Sequence, residues 1–307
     1  MIKNRSQLAC KAESVEGTFE TLAGVDVIPV FNLSFKPTTE IGERPNVSSS
    51  LSRWASIAGA RSAVMEFDME LKGSGTVGTA PALGKLLKCC GFGETVVAVT
   101  SVTYLPASSS ISSMSLAAYI DGKIKKIWGA RGDMSLKLEK GKPGMFHFVF
   151  TGADYSDADG AMLSSGIAYE ATKPIPFMNS SYTLDSYAAL IGSLEIKMNN
   201  SVVLRDDVNT ISGHKSAVIT GRKPTLSIDP EECLVATYDW FTKLKTNVEG
   251  ALSCVLTGTA GNICTITAPK IQYTAVNPAD KNGIASLGID CQLNRNAGDD
   301  EISIAFT

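Results

Sequence analysis

Histidine, dense basic patches and long apolar runs are all scarce in this 307-residue chain. The two histidines, His147 and His214, are too far apart in sequence to form a local metal or base pair. His147 lies in Met145-Phe-His-Phe-Val-Phe150, where the phenylalanines alternate with it, as in an ordinary strand. No apolar run reaches the roughly 18–20 residues that cross a bilayer. Met1-Ile-Lys-Asn-Arg-Ser-Gln7 has no apolar h-region, so no secretory signal is expected. GxSxG, HExxH and Walker A patterns are missing, and Gly78 to Lys85 has one residue too many for the last of these. Without a basic patch, tight nucleic-acid binding by phosphate neutralisation is not signalled.

The seven cysteines are irregularly spaced at 10, 89, 90, 233, 254, 264 and 291, which suits neither a CxxC motif nor a zinc site. They read as reduced thiols used as small buried apolar groups, as in a protein made in a cytoplasm. The net charge of −3 hides an asymmetry. Residues 1–155 carry 17 basic against 14 acidic side chains, and residues 156–307 carry 11 against 17.

The chain also repeats itself. Gly59-Ala-Arg-Ser-Ala-Val64 returns as Gly213-His-Lys-Ser-Ala-Val218, a spacing of 154, close to half the length. Each copy runs into a strand, a short helix and a series of strands. This predicts a mainly β protein of two related domains, 1–155 and 187–307, joined by a linker region at 156–186. Two copies of one fold often supply quasi-equivalent positions in a symmetric assembly.

The clearest strand is Val64–Leu71, with Met65, Phe67, Met69 and Leu71 on one face and Glu66, Asp68 and Glu70 on the other. Residues 36–58 read as a long polar loop, and such loops are usually functional or ordered by a partner. Helices are expected at 81–90 and 231–245. Strands are expected at 123–128 and 132–139, and again at 262–267 and 270–276. Gly73-Ser-Gly-Thr-Val-Gly78 matches GxGxxG between a strand and a helix. The strands after it are joined by short turns, however, which is antiparallel wiring rather than that of a dinucleotide fold. Arg131-Gly-Asp133 is explained by a tight turn. The acidic stripe reads either as a solvated sheet face or as the wall of a water-filled lumen.

Leu51-Ser-Arg53 through Gly75, Gly78 through Phe92, Val102–Pro106, Ile120–Lys123, Gly129–Gly132 and Pro269–Tyr273 through Phe306 together resemble the tail tube proteins of long-tailed, non-contractile bacteriophages. The resemblance implies tandem β-sandwich or barrel domains, each with one flanking helix, whose strands join into a ring-wide β-barrel. It implies a structural, non-enzymatic virion protein that is made in the bacterial host cytoplasm, needs no cofactor and inserts in no membrane. Stacked homo-oligomeric rings, trimeric and pseudo-hexameric for a two-domain chain, would pass DNA without specific binding. Tape measure, tail terminator and tail-tip proteins would be its partners. Glu66, Asp68 and Glu70 become lumen-facing candidates. Lys36, Glu40, Arg44, Leu51, Arg53 and Trp54, in the long loop, become candidates for contacts between rings. A secretion or pilus-like tube shares this logic, and a nucleotide-binding enzyme built on Gly73–Gly78 is the rival from another class.

Overall fold

Alternating apolar residues build nearly every element of the computed structural model, which describes residues 2–307. Among the described residues strands hold 52% and two helices 5%, so the mainly β expectation holds. The first half runs β1 (Ser6–Ala12), β2 (Val27–Ile28), β3 (Phe31–Gly42), β4 (Ile57–Glu70), α1 (Gly84–Cys89), β5 (Phe92–Val97), β6 (Ser101–Pro106), β7 (Met114–Ile120), β8 (Lys123–Glu139), β9 (Met145–Gly152) and β10 (Asp154–Asp159). The second runs β11 (Ser181–Leu184), β12 (Ser193–Lys197), β13 (Ser201–Asp206), β14 (His214–Gly221), β15 (Thr225–Ile228), α2 (Trp240–Thr246), β16 (Glu249–Leu256), β17 (Cys264–Lys281), β18 (Ile284–Asn294) and β19 (Ser303–Phe306).

Hydrogen-bonded pairing gives one antiparallel order, β3-β4-β9-β8-β12-β15-β18-β17. The wiring repeats within it. In the first half β1 pairs β7, β7 pairs β8, and β10 flanks β8. In the second half β11 pairs β16, β16 pairs β17, and β19 flanks β17. β3 corresponds to β12 plus β13, and β4 to β14 plus β15. The repeated Gly…Ser-Ala-Val segments therefore fall within β4 and at the start of β14. The hairpin β5–β6 has no counterpart, and β6 ties the halves together by pairing β19.

Several sequence expectations change. The loop expected at 36–58 shrinks to 43–56, because Thr38, Thr39 and Ile41 continue β3 against β4. Pro37 is tolerated because that edge of β3 needs no donor. The strands expected on either side of Gly129 are one strand, β8, and those expected on either side of Pro269 are one strand, β17. At Gly129 (φ +60), β8 bends as it leaves one sheet for the next. The second helix starts only at Trp240, where the Asp239 carboxylate accepts the Thr242 N–H at 2.9 Å, and it stops at left-handed Asn247. The stretch 156–186 holds the end of β10 and all of β11.

One apolar cluster runs beneath both halves. Phe67 lies 5.8 Å from Phe148 and 5.9 Å from Phe150, with Met65 and Met69 beside it. The seam between halves is built the same way: Leu138 faces Leu194 and Leu136 faces Ile196, all four fully buried. Six cysteines are buried, and burial pushes the Cys10, Cys89, Cys254 and Cys291 thiols up to about 12, as expected of apolar fillers.

Phe148→Ala is expected to lower unfolding free energy by about 3–5 kcal/mol. Ser135→Ala, on the opposite face of the neighbouring strand, should change it by under about 0.5 kcal/mol. Denaturant midpoints measured by tryptophan fluorescence check both.

Candidate assembly surface

The side of the sheet opposite the core is largely polar, and among the described residues no other element covers it. Register carries Asp68, His147, Ser135, Lys197, Thr225, Gln292, Gln272 and Glu249 across eight strands in one row. A second row runs Glu70, Met145, Lys137, Glu195, Ser227 and Asp290. Glu66, Asp68 and Glu70 therefore share a face that spans the whole molecule, as strand alternation predicts.

The charges on this face are largely paired. Lys36 meets Glu66 at 2.8 Å, His147 Nδ1 meets Asp68 at 2.7 Å, and Asn32 donates to Asp68 at 2.6 Å. Lys137 and Lys142 clasp Glu139, each at 2.5 Å, and Lys197 meets Glu195 at 3.2 Å. The Lys137 and Lys142 hydrogen bonds hold the Glu139 carboxyl down at about 2. Sequence reading found the acidic members from their alternation. It missed the partners of Glu66 and Asp68 because Lys36 and His147 lie 30 and 79 positions away along the chain.

Both lateral edges of this sheet are open among the described residues. β3 pairs only with β4, and β17 beyond Gln272 pairs only with β18. Behind β3 lies a groove of about 810 Å³ lined by Lys3, Asn32, Ser34, Phe35 and Lys125.

Beyond the sheet, each β3-type hairpin continues as an arm. The first arm continues the β3–β4 hairpin and is braced against β10: Thr39 contacts the Tyr155 hydroxyl at 3.1 Å and Arg61 pairs with Asp154 at 2.7 Å. Its tip, 43–56, holds Arg44, Leu51, Arg53 and Trp54, with Glu40 exposed just below. Leu51 and Val47 are fully exposed, Arg44 lies over the Trp54 ring at 5.1 Å, and Arg53 meets Glu43 at 3.8 Å. Lys36, grouped by sequence with the tip, sits instead at the arm's base on the face of Glu66.

The second arm, β13–β14, breaks away at Asn199-Asn200 and at Arg222–Pro224 and folds onto the first half. Arg131 donates to the Ala217 and Ile111 carbonyls and to Glu16. Ser216 donates to Glu16 at 2.8 Å, and the Asn200 N–H donates to Asp133 at 2.9 Å. Burial opposes ionisation of Glu16, yet its bonds to Arg131 and Ser216 hold the carboxyl below its usual range. Arg131 thus works as an anchor within β8 rather than in the turn read from Arg131–Asp133. Gly17 (φ +79) lets the Lys215 carbonyl approach, since a side chain there would collide with it.

Gly73 and Gly75 also serve contact between the halves. Gly73 N–H donates to Asn262 Oδ1 at 2.7 Å, Gly75 N–H donates to the Gly261 carbonyl at 3.1 Å, and a side chain at Gly73 would overlap that carbonyl. Gly73 and Gly75 hold two turns together and Gly78 (φ +72) lies against Val97–Val99, so backbone packing accounts for each glycine of the GxGxxG spacing. No helix among the described residues is long and apolar enough to cross a membrane.

A family model described as phage tail tube protein matches residues 3–306. A search of curated proteins finds no match to the chain.

Arg131→Ala is expected to cost about 1.5–3 kcal/mol by removing charged hydrogen bonds. Hydrogen exchange should accelerate first at β13–β14 amides while β8–β9 stays protected. The Glu139 carboxyl is depressed in the fold, so its stabilising contribution is present above its unfolded value. That contribution is lost as pH falls from about 4.5 towards about 2. A carboxyl NMR titration should show a midpoint near 2, moving up in Lys137→Ala.

Proposed function

This chain belongs to the phage tail tube protein family, and from that premise we propose that its copies join edge to edge into three-chain rings that stack as a DNA-conducting tube. The observation that carries this reading is the repeated strand order. Each half contributes four strands in the same sequence of pairings, and the halves already meet by an antiparallel β8–β12 junction. β17 corresponds to β8, and β3 corresponds to β12. The outer edge of β17 in one copy is therefore matched to β3 in the next, in the same antiparallel sense, with half-buried Leu33 and Phe35 in the role of Leu194 and Ile196.

Open edges of this length invite uncontrolled pairing, and closing a ring removes them. Eight strands per chain and three chains give a barrel of twenty-four strands. At the usual spacing of about 4.8 Å this is roughly 37 Å across at the backbone before tilt widens it. Barrels of about 16–18 strands already enclose an aqueous channel. On this reading the halves are two tandem tail-tube-type domains forming a pseudo-hexamer, and the polar face is the lumen wall. Glu66, Asp68 and Glu70 would stand in that wall among paired lysines. Such a surface, with its cations already neutralised, releases few counterions from DNA and lets it slide. The exposed tip at 43–56 would reach the adjacent ring through Leu51, Trp54, Arg44 and Arg53, with Glu40 beside them. Tape measure, terminator and tip proteins would cap the tube's ends, within the virion tail.

Symmetry-resolved electron microscopy of assembled protein tests the reading. Three chains around an open channel are expected. Six chains per ring, or rings without a channel, would overturn it. Replacing 43–56 by a short Gly-Ser turn should leave rings and the melting temperature intact while shortening tubes. An unchanged length distribution refutes the role of the tip.

A further inference from the structure

The two arms have different fates in a single chain. β13–β14 is seated on the flank of the first half, whereas the β3–β4 arm projects past its own half. The occupied seat has a definite make-up. Asn200 Nδ2 donates to the Cys90 carbonyl at the C-terminus of α1 and to the Gly132 carbonyl of β8. Ile219 packs over Gly91, just past that helix. Arg205 reaches Glu16 at 3.7 Å. The arm thus covers the end of α1, the middle of β8 and the turn after β1.

The corresponding elements of the second half are the end of α2, the middle of β17 and the turn after β11, and among the described residues no element covers them. Phe241 and Val248 are 37% and 47% exposed there. Leu234 and Val235, ahead of α2, are more exposed still. Lys270 meets Glu249 at 3.1 Å on the same flank. The projecting arm is complementary in kind: below its tip, Ile41 and Ile57 are each more than half exposed.

We propose that the α2 flank of each chain is the seat for the β3–β4 arm of a neighbouring copy in the same ring. Each chain then docks one arm on itself and lends the other to its neighbour. The inference rests on the ring reading above, and it specifies the side contact that reading leaves open. The occupant is a second copy of this chain because the first half already holds the homologous arm on the homologous surface. The β8–β12 junction that accompanies that seat is the one the ring would repeat between chains. Apolar groups on arm and flank would be buried together, which favours association in proportion to the area removed from water.

The experiment uses the full chain with Cys233→Ser, which removes the one cysteine that is not buried. Thr38→Cys on the arm and Val248→Cys on the flank are added, and assembled tubes are treated with a short bismaleimide. Denaturing gels should show dimers and trimers and nothing larger, because arms that dock within a ring of three close on themselves. Uncrosslinked chains from intact tubes, or a ladder running on without limit, would overturn the seat, the latter by showing that the arm reaches the adjacent ring. A ladder ending at six would keep the seat and refute the three-chain ring. As a second measure, Phe241→Asp with Val248→Asp should give a chain with an unchanged melting temperature that sediments as monomer. Normal tube formation by that variant would overturn the proposal, and wild-type chains that never form rings would overturn the ring reading and the seat together.

Discussion

An antiparallel sheet must satisfy its edge strands, and this chain leaves two of them unpaired on the same eight-strand layer. Everything else about the molecule follows from how that layer is held and what its two sides offer. The apolar side is closed by the helices, by β1, β7 and β16, and by a single core that runs under the seam between the halves. The polar side is bare. One-sided burial fixes the register, because a slip of one residue would send Met65, Phe67 and the Phe146–Phe150 stripe into water.

The repeated pairing pattern accounts for the eight strands of the layer, and on the ring reading it would make the two edges complementary. The β8–β12 junction is a worked example, inside one chain, of how one four-strand unit follows another. Its apolar pairs, Leu138 with Leu194 and Leu136 with Ile196, are what the proposed contact between chains would imitate. The copies have also diverged. Asn199-Asn200 and Arg222–Pro224 break the second hairpin so that its arm folds back onto Glu16, Arg131 and Gly17. The first hairpin keeps going and carries an apolar tip. A ring of such chains would alternate around its circumference in surface while repeating in backbone.

The electrostatics of the polar face differ from those of an acidic stripe. Glu66 and Asp68 are met by Lys36 and His147, and Glu139 and Glu195 by lysines on the same face. Exposed pairs of this kind add little stability. Their effect is on the surface they leave behind, which is polar and charge-rich with few unpaired cations.

Much of this was legible before folding. Period-two alternation located β4 and β9 and identified which residues face the core, because strand geometry makes that a local property. The Gly59 and Gly213 segments announced the duplication, and the glycine and proline punctuation placed most turns. What lay outside local sequence was everything set by partners distant along the chain. Thr38, Thr39 and Ile41 are strand only because β4 lies beside them. The partners of Glu66 and Asp68, Lys36 and His147, lie tens of positions away from them. The Gly73–Gly78 turn, a nucleotide motif by spacing, is a clasp on Gly261 and Asn262 by contact. The sequence by itself determined the alternation, the repeat and the small buried thiols. Only the tertiary structure decided which strands become neighbours, which edges remain open and which arm finds a seat, since those depend on long-range pairing that no local pattern encodes.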